Sequence, residues 1–384
     1  MNFSFSTANS IHLGDGMAKN LCHFLPESTK RAFVLTGTTP ARHQFLLGGL
    51  DANDIETALF PVTSEPTTYL ISNALKNART FQPDTVIGLG GGSVIDTGKA
   101  IAALLNNEGE LLDYLEIVGK GKPLLHPSIP YMAIPTTAGT GSEVTRNSVI
   151  GVPDSAVKVS LRSPYMIPRW AVVDPELTYD LPPEISAYTG MDAFIQCLEA
   201  YLSRDANPLS DGIALQGLQR ASLSLRAACQ PKLDKAAKSD LCVASLCGGI
   251  ALANAKLGAV HGFAGPIGGM IKAPHGALCA SLLLSVLRMN YDIVMRREPD
   301  GETSRKFDQV AQILTGNPTA KGSYAIAWIE SLLRDLPLAP LSELGFTEAM
   351  IPEAVKKSTH SSSMKGNPID LESADLREIL EECL

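Results

Sequence analysis

Positive charge is scarce in this chain: 32 Lys and Arg stand against 40 Asp and Glu, a formal net charge of −8 with His neutral. No basic run interleaved with aromatics offsets that balance, so no nucleic-acid partner is expected. No apolar run reaches the ~18 residues that suggest a membrane span, and Met1 to Ser10 lack the basic start and long apolar core of a signal peptide. A cytoplasmic protein with no membrane partner is therefore expected. Cysteine offers no framework either. Seven thiols scattered from Cys22 to Cys383, odd in number and never spaced as C-x-x-C, fit reduced, packed side chains rather than disulfides or a structural zinc knuckle. Low-complexity tracts are missing, while 384 residues at 45% hydrophobic content give room for two domains with proper cores.

Apolar runs alternate with helical patterns through the first part of the chain. Strands are expected at Ala32 to Thr36, Glu56 to Val62, Asp84 to Leu89, Ile129 to Pro135 and Ala171 to Val173. Helices are expected at Arg42 to Leu50 and Thr67 to Thr80, and Ser148 to Val152 with Ala156 to Leu161 reads as a hairpin around Pro153-Asp154. Such alternation means a parallel sheet with covering helices. After Asp174-Pro175 strand signals nearly vanish. Helical segments run from Pro183 to the end, broken near Asn207-Pro208, Gln230-Pro231, Ala273-Pro274, Asn317-Pro318 and Leu336-Pro337. The expected fold class is thus α/β plus all-α: a Rossmann-like parallel-sheet domain over 1–182 and a helical domain over 183–384, with a cleft suited to a ligand.

Three stretches carry chemistry. The first is Val86-Ile87-Gly88-Leu89-Gly90-Gly91-Gly92-Ser93, an apolar strand running through glycines into an alanine-rich helix. Glycines let the backbone approach an anion, and free N–H groups at a helix start point at negative charge, which suits a nucleotide pyrophosphate. Ser93 stands where the dinucleotide fingerprint needs its third glycine, and the P-loop pattern fails as well, so a plain strand-to-helix turn remains the other reading. The second stretch, Ile134-Pro135-Thr136-Thr137-Ala138-Gly139-Thr140-Gly141-Ser142, follows a strand and is crowded with hydroxyls and glycines. It would place a second ligand loop at the carboxyl edge of the sheet, where open α/β sheets bind nucleotides.

The third constellation lies in the helical half. Asp192 and Gln196 are four apart and share a helix face, while His261 opens His261-Gly262-Phe263 and His275 follows Pro274. A carboxylate plus two imidazoles suits a divalent first-row metal, although each residue alone could equally cap or pack.

Taken in order, these motifs resemble the iron-containing alcohol dehydrogenases of the dehydroquinate-synthase-like fold. The resemblance spans the glycine loop with Asp96 and Lys99, Thr136-Thr137-Ala138-Gly139-Thr140, Val173-Asp174-Pro175, Gly190-Met191-Asp192-Ala193, His261-Gly262 with His275, and Asn367-Pro368. It implies hydride transfer between NADP or NAD and a small alcohol or aldehyde, assisted by Fe2+ or Zn2+, in a homodimer. Carried over residue by residue, Gly91, Gly92 and Ser93 would hold the pyrophosphate, with Asp96, Thr136, Thr137, Thr140 and Lys158 around the rest of the cofactor. Asp192, His261 and His275, acting through the metal, would be the catalytic set, with Gln196 as a fourth ligand. Thr140, Asn147, Leu257, Phe263, Gly265 and Ser363 fall where the family's substrate pocket lies.

Two positions depart from the family pattern. A fourth metal-binding histidine is replaced by Gln196, whose neutral amide oxygen is a poorer ligand than imidazole, so the metal should be held weakly and Gln196→His should raise affinity at least ~10-fold. A second histidine is replaced by Gly265, which removes a titratable side chain near the substrate. Gly37 stands where the family commonly places an acidic residue against the adenine ribose, so NADP(H) should be used at least as well as NAD(H). The alternatives are a maleylacetate reductase-like or glycerol dehydrogenase-like oxidoreductase on the same scaffold, or a nucleotide-binding protein that has lost catalysis. A dehydroquinate synthase should carry more basic residues near these motifs.

Overall fold

A computed structural model of the protein describes residues 2–39, 43–155 and 157–384. The chain divides into two compact units, one made of Thr7–Thr137 with Ser142–Asp180, the other of Leu181–Leu384 together with Ala138–Gly141 and the leading residues through Ser6.

In the first unit the strands are β1 (Ser10–Leu13), β2 (Arg31–Thr36), β3 (Glu56–Pro61), β4 (Thr85–Gly90), β5 (Tyr131–Pro135), β6 (Asn147–Val152), β7 (Val157–Arg162) and β8 (Trp170–Val173). Its helices are α1 (Gln44–Asp51), α2 (Thr68–Phe81), α3 (Gly92–Leu105) and α4 (Leu111–Tyr114). Among the described residues, six strands form one parallel sheet in the order β1-β8-β5-β4-β2-β3, and β6 pairs with β7 as the expected antiparallel hairpin. Arg42, where the first helix was expected to start, and Ala156, at the hairpin's second strand, lie outside the described residues. Strand β1 was not anticipated. It is short, half-buried throughout, and exists through its pairing with the distant β8.

The sheet is covered on both faces, as parallel sheets are. Alternate residues feed opposite cores: Phe33, Leu35, Val86 and Tyr131 join one, Ala32, Val34, Ile87 and Met132 the other. Every residue of β4 is buried, which is why that strand reads as an unbroken apolar run. Two of the glycines around it serve packing: a Cβ on either Gly88 or Gly98 would run into the Tyr131 ring, whose hydroxyl donates to the Ile95 carbonyl at 2.9 Å. The strand and helix flanking the glycine turn are thereby clamped, and the turn between them is short and fixed.

The second unit is helical: α5 (Pro183–Leu202), α6 (Pro208–Ala228), α7 (Lys235–Asn254), α8 (Ala259–Met270), α9 (His275–Arg297), α10 (Glu302–Thr315), α11 (Gly322–Asp335), α12 (Ile351–Ser358) and α13 (Ser373–Glu382). The expected breaks fall between helices, with Asn207 capping α6 through bonds from Leu209 and Ser210. Two helices, α7 and α9, are long and apolar enough to cross a membrane by length and composition, but 56% and 61% of their apolar windows are buried inside the fold. They are core helices by that measure. Helix α5 is buried almost all round, so its polar residues Asp192, Gln196 and Glu199 must find partners inside the unit.

Candidate metal and cofactor sites

Asp192, Gln196 and Glu199 lie four and three residues apart on α5, a spacing that sets all three on one face. The N-terminal ends of α8 and α9 bring His261 and His275 to that face. His261 Nε2 lies 3.2 Å from Asp192 Oδ1, and His275 Nε2 lies 3.8 Å from the same oxygen. A fourth donor, Cys279, sits one turn after His275 with its Sγ 3.6 Å from His275 Nε2. Ligand atoms of Asp192, His261, His275 and Cys279 all fall within 4.8 Å of one another.

Glu199 organises this cluster. Its Oε2 accepts from His261 Nδ1 at 2.7 Å, while Oε1 accepts from the Val260 backbone N–H at 2.7 Å. The carboxylate thus satisfies a backbone donor that α8 cannot pair internally and fixes the imidazole with Nε2 turned to Asp192. Asn367 closes the same helix start: its Oδ1 accepts from the Ala259 N–H at 3.1 Å and from Asn290 Nδ2 at 3.0 Å. Gln196 donates from Nε2 to Asp192 Oδ2 at 3.2 Å, and its Oε1 is buried with no partner among the described residues.

The electrostatics show what such a cluster seeks. Burial opposes ionisation of Asp192, yet the hydrogen bond from His261 and the charge of His275 hold its carboxyl below the usual range. Burial likewise pushes the Cys279 thiol up, but His275 and His261 pull it below its ordinary value. Burial disfavours a charged His261, and the sulfur of Cys279 with the bonds to Asp192 and Glu199 overcome it and raise that imidazole well above its usual range. Carboxylate and thiolate concentrated beside two imidazoles attract positive charge. Protons supply it when nothing else does, and a divalent cation would displace them. The donor set therefore fits a metal.

In the first unit, three of the cofactor-associated positions lie together. Gly37, Gly91 and Thr136 follow β2, β4 and β5, which are neighbours in the sheet, so all three stand at its carboxyl edge. The Thr136 N–H donates to the Gly90 carbonyl at 2.9 Å, and a Cβ on Gly91 would touch the Thr137 side chain. Among the described residues no side chain caps the first turn of α3, where Gly92 and Ser93 lie. Asp96 ties this turn to the chain beyond: it accepts from the Val149 N–H at 2.9 Å and from the Ser142 hydroxyl, and pairs with Lys99 at 3.0 Å. Lys158, on β7, pairs with Glu65 at 2.7 Å. Thr140 groups with the helical unit.

The positions expected at a substrate pocket belong to both units. Asn147 opens β6 and is half-buried, Leu257 is buried just before α8, Phe263 is fully buried on α8, and Ser363 precedes a short turn over Met364–Gly366. Gly265, one turn beyond His261, faces open space: among the described residues, nothing outside its own turn of helix lies within 4 Å of where a Cβ would stand. Glu199 and Cys279 were absent from the sequence-derived set. Each carries a periodic signal, since Glu199 lies seven residues after Asp192 and Cys279 four after His275.

A nucleotide-type α/β unit joined to a helical unit that gathers cation-seeking donors is the build of a metal-dependent dehydrogenase. Comparison with known proteins narrows that class. The profile described as iron-containing alcohol dehydrogenase matches residues 8–175, and that of the Fe-containing alcohol dehydrogenase family, C-terminal, matches residues 186–384. The chain belongs to the iron-containing alcohol dehydrogenase family. It is 34% identical over 337 residues to a 4-hydroxybutyrate dehydrogenase of Cupriavidus necator, covering 86% of each chain. A solved 1,3-propanediol oxidoreductase superposes with a TM-score of 0.91 at 30% identity over 100% of both chains. A sulfoacetaldehyde reductase from Bifidobacterium kashiwanohense, solved in complex with NAD+, gives 0.87 at 26% identity, covering 100% of this chain and 98% of that one. The protein is an alcohol dehydrogenase or a related oxidoreductase acting on CH–OH groups, in a family that uses a nicotinamide cofactor and a divalent metal and that small-molecule alcohol or aldehyde substrates fit.

Proposed function

We propose that Asp192, His261 and His275 hold the metal and that the first turn of α3, at Gly91, Gly92 and Ser93, holds the cofactor pyrophosphate. The observation that carries the first assignment is the convergence of donor atoms from α5, α8 and α9 inside a unit that otherwise buries apolar side chains. Uncapped N–H groups at the start of α3 support the second. Around the cofactor we place Gly37, Asp96, Thr136, Thr137, Thr140 and Lys158, with Asp96 acting by fixing the turn.

When bound, the metal supplies Lewis acidity toward the substrate oxygen. The chain's own groups do the rest. Glu199 holds His261 in the orientation that presents Nε2, and Asp192 contributes the anionic oxygen. With glycine at 265 there is no titratable side chain one turn beyond His261, so proton delivery to the product oxygen would have to use water or a cofactor hydroxyl. The substrate class we propose is a short primary alcohol or its aldehyde. The substrates named for two of the relatives, 4-hydroxybutyrate and 1,3-propanediol, belong to that class, whereas another relative is named for long-chain alcohols. A homodimer in the cytoplasm completes the proposal, and sedimentation velocity tests the assembly.

The test of the function is metal analysis of protein purified without chelator, then rates for a panel of short aldehydes with NADH and NADPH. Expected are bound iron or zinc, activity removed by chelator and restored by metal, and metal content lowered in Asp192→Asn. A metal-free protein reducing aldehydes at full rate would overturn the assignment.

A further inference from the structure

We propose that Cys279 is the fourth metal ligand of this chain, taking the place that Gln196 leaves, so that the site is an Asp-His-His-Cys set. The inference rests on the metal assignment to Asp192, His261 and His275 made above.

Gln196 is already committed elsewhere. Its Nε2 faces Asp192 Oδ2 at 3.2 Å, and its Oε1 lies on the side of Gly248, 3.0 Å from where a Cβ there would stand. Asp192 is an ionised acceptor, so the amide presents nitrogen to it. For Oε1 to coordinate a cation the amide would have to turn and give up that bond. Gln196 is better described as a positioning residue that steadies Asp192 through Oδ2 and leaves Oδ1 facing the two imidazoles.

Cys279 has the opposite disposition. It projects from α9 one turn beyond His275, on the same helix face, and its Sγ reaches the His275 nitrogen at 3.6 Å. Tetrahedral coordination with metal–nitrogen bonds of ~2.0 Å and metal–sulfur bonds of ~2.3 Å sets neighbouring donors about 3.3–3.7 Å apart. The 3.2 Å, 3.6 Å and 3.8 Å separations around Asp192 Oδ1 and His275 Nε2 are of that size. Cys279 is fully buried, and the other buried thiols, Cys197, Cys229, Cys242 and Cys247, are not in the cluster. Thiolate is a softer donor than amide oxygen or imidazole, so the exchange moves the site's preference toward zinc-like ions.

The decisive experiment is X-ray absorption at the zinc edge of the zinc-loaded wild-type protein, with optical spectra of the cobalt-loaded form. One sulfur scatterer at ~2.3 Å and a sulfur-to-cobalt charge-transfer band in the near ultraviolet are expected. The band should vanish in Cys279→Ser and persist in Gln196→Ala. Bound metal with nitrogen and oxygen scatterers alone overturns the role of Cys279 while leaving the three-ligand assignment standing. Protein that takes up neither zinc nor cobalt overturns both. Because the wild-type spectra decide the matter, a variant that fails to fold does not obscure it.

Discussion

Glu199 Oε2 and His261 Nδ1 are 2.7 Å apart, both buried, at the point where the core helix α5 meets the start of α8. The pair links fold to chemistry, because the carboxylate that satisfies the α8 backbone also sets the tautomer and tilt of a proposed metal ligand. Glu199→Gln keeps the size but loses the charge, and its amide nitrogen has no acceptor at the helix start. We expect metal affinity to fall by ~10- to 100-fold, the scale for partners of metal-bound histidines. Competition with a metal-binding dye measures it, and unchanged affinity would make Glu199 purely a structural residue.

Gln196 and Cys279 should be coupled. With the thiolate in place, Gln196→His is expected to change metal affinity less than the ~10-fold gain expected where an imidazole fills a vacant position. In a Cys279→Ser background the same substitution should give the full gain. The double-mutant cycle therefore has a non-zero coupling term, measurable by the same competition assay. Strict additivity would show that the two positions do not compete for one coordination place.

Cofactor choice can be tested at Gly37. The position follows β2 at the carboxyl edge of the sheet, and among the described residues no side chain or non-adjacent backbone atom lies within 4 Å of a Cβ built there, so none of them obstructs a side chain. Gly37→Asp should leave kcat/KM for NADH within a few-fold and lower that for NADPH by ~10-fold or more, because a carboxylate repels a 2′-phosphate. Equal effects on both cofactors in steady-state kinetics would place the adenine ribose elsewhere.

Much of this architecture is legible along the chain because the parallel sheet writes itself as short apolar runs. Strand β4 is buried on both faces and reads as continuous apolar sequence, whereas β1 is half-buried and short and carries no local signal. Asp192, His261 and His275 stand out as chemical types in recognisable surroundings. Glu199 and Cys279 do not, since an acid or a thiol in an apolar helix acquires meaning only when another helix brings a histidine to it. Gly88 shows the converse: it sits in a run suggestive of a ligand loop, yet together with Gly98 of α3 it makes room for Tyr131, a contact that sequence order hides.

Glu143 offers a test by pH. It is buried in the turn Ser142–Val144, where burial pushes its carboxyl from 4.5 up to about 7, against the opposing pull of its own backbone hydrogen bond and of Lys99. Lys99 is itself buried, which lowers its pKa, and Asp96 partly offsets the effect. Between pH 4.5 and about 7 the folded protein holds a proton on Glu143 that the unfolded chain releases, so this group makes stability fall as pH rises through that window. Above it both states are ionised and the full penalty, on the order of 3 kcal/mol, is present. Glu143→Gln removes the ionisation. Relative to wild type, the Tm of the variant should therefore climb from pH 4.5 to pH 7 and then level off, as followed by calorimetry in matched buffers. A difference in Tm that is the same at every pH would mean that Glu143 does not titrate in this range, and that Lys99 keeps it charged throughout.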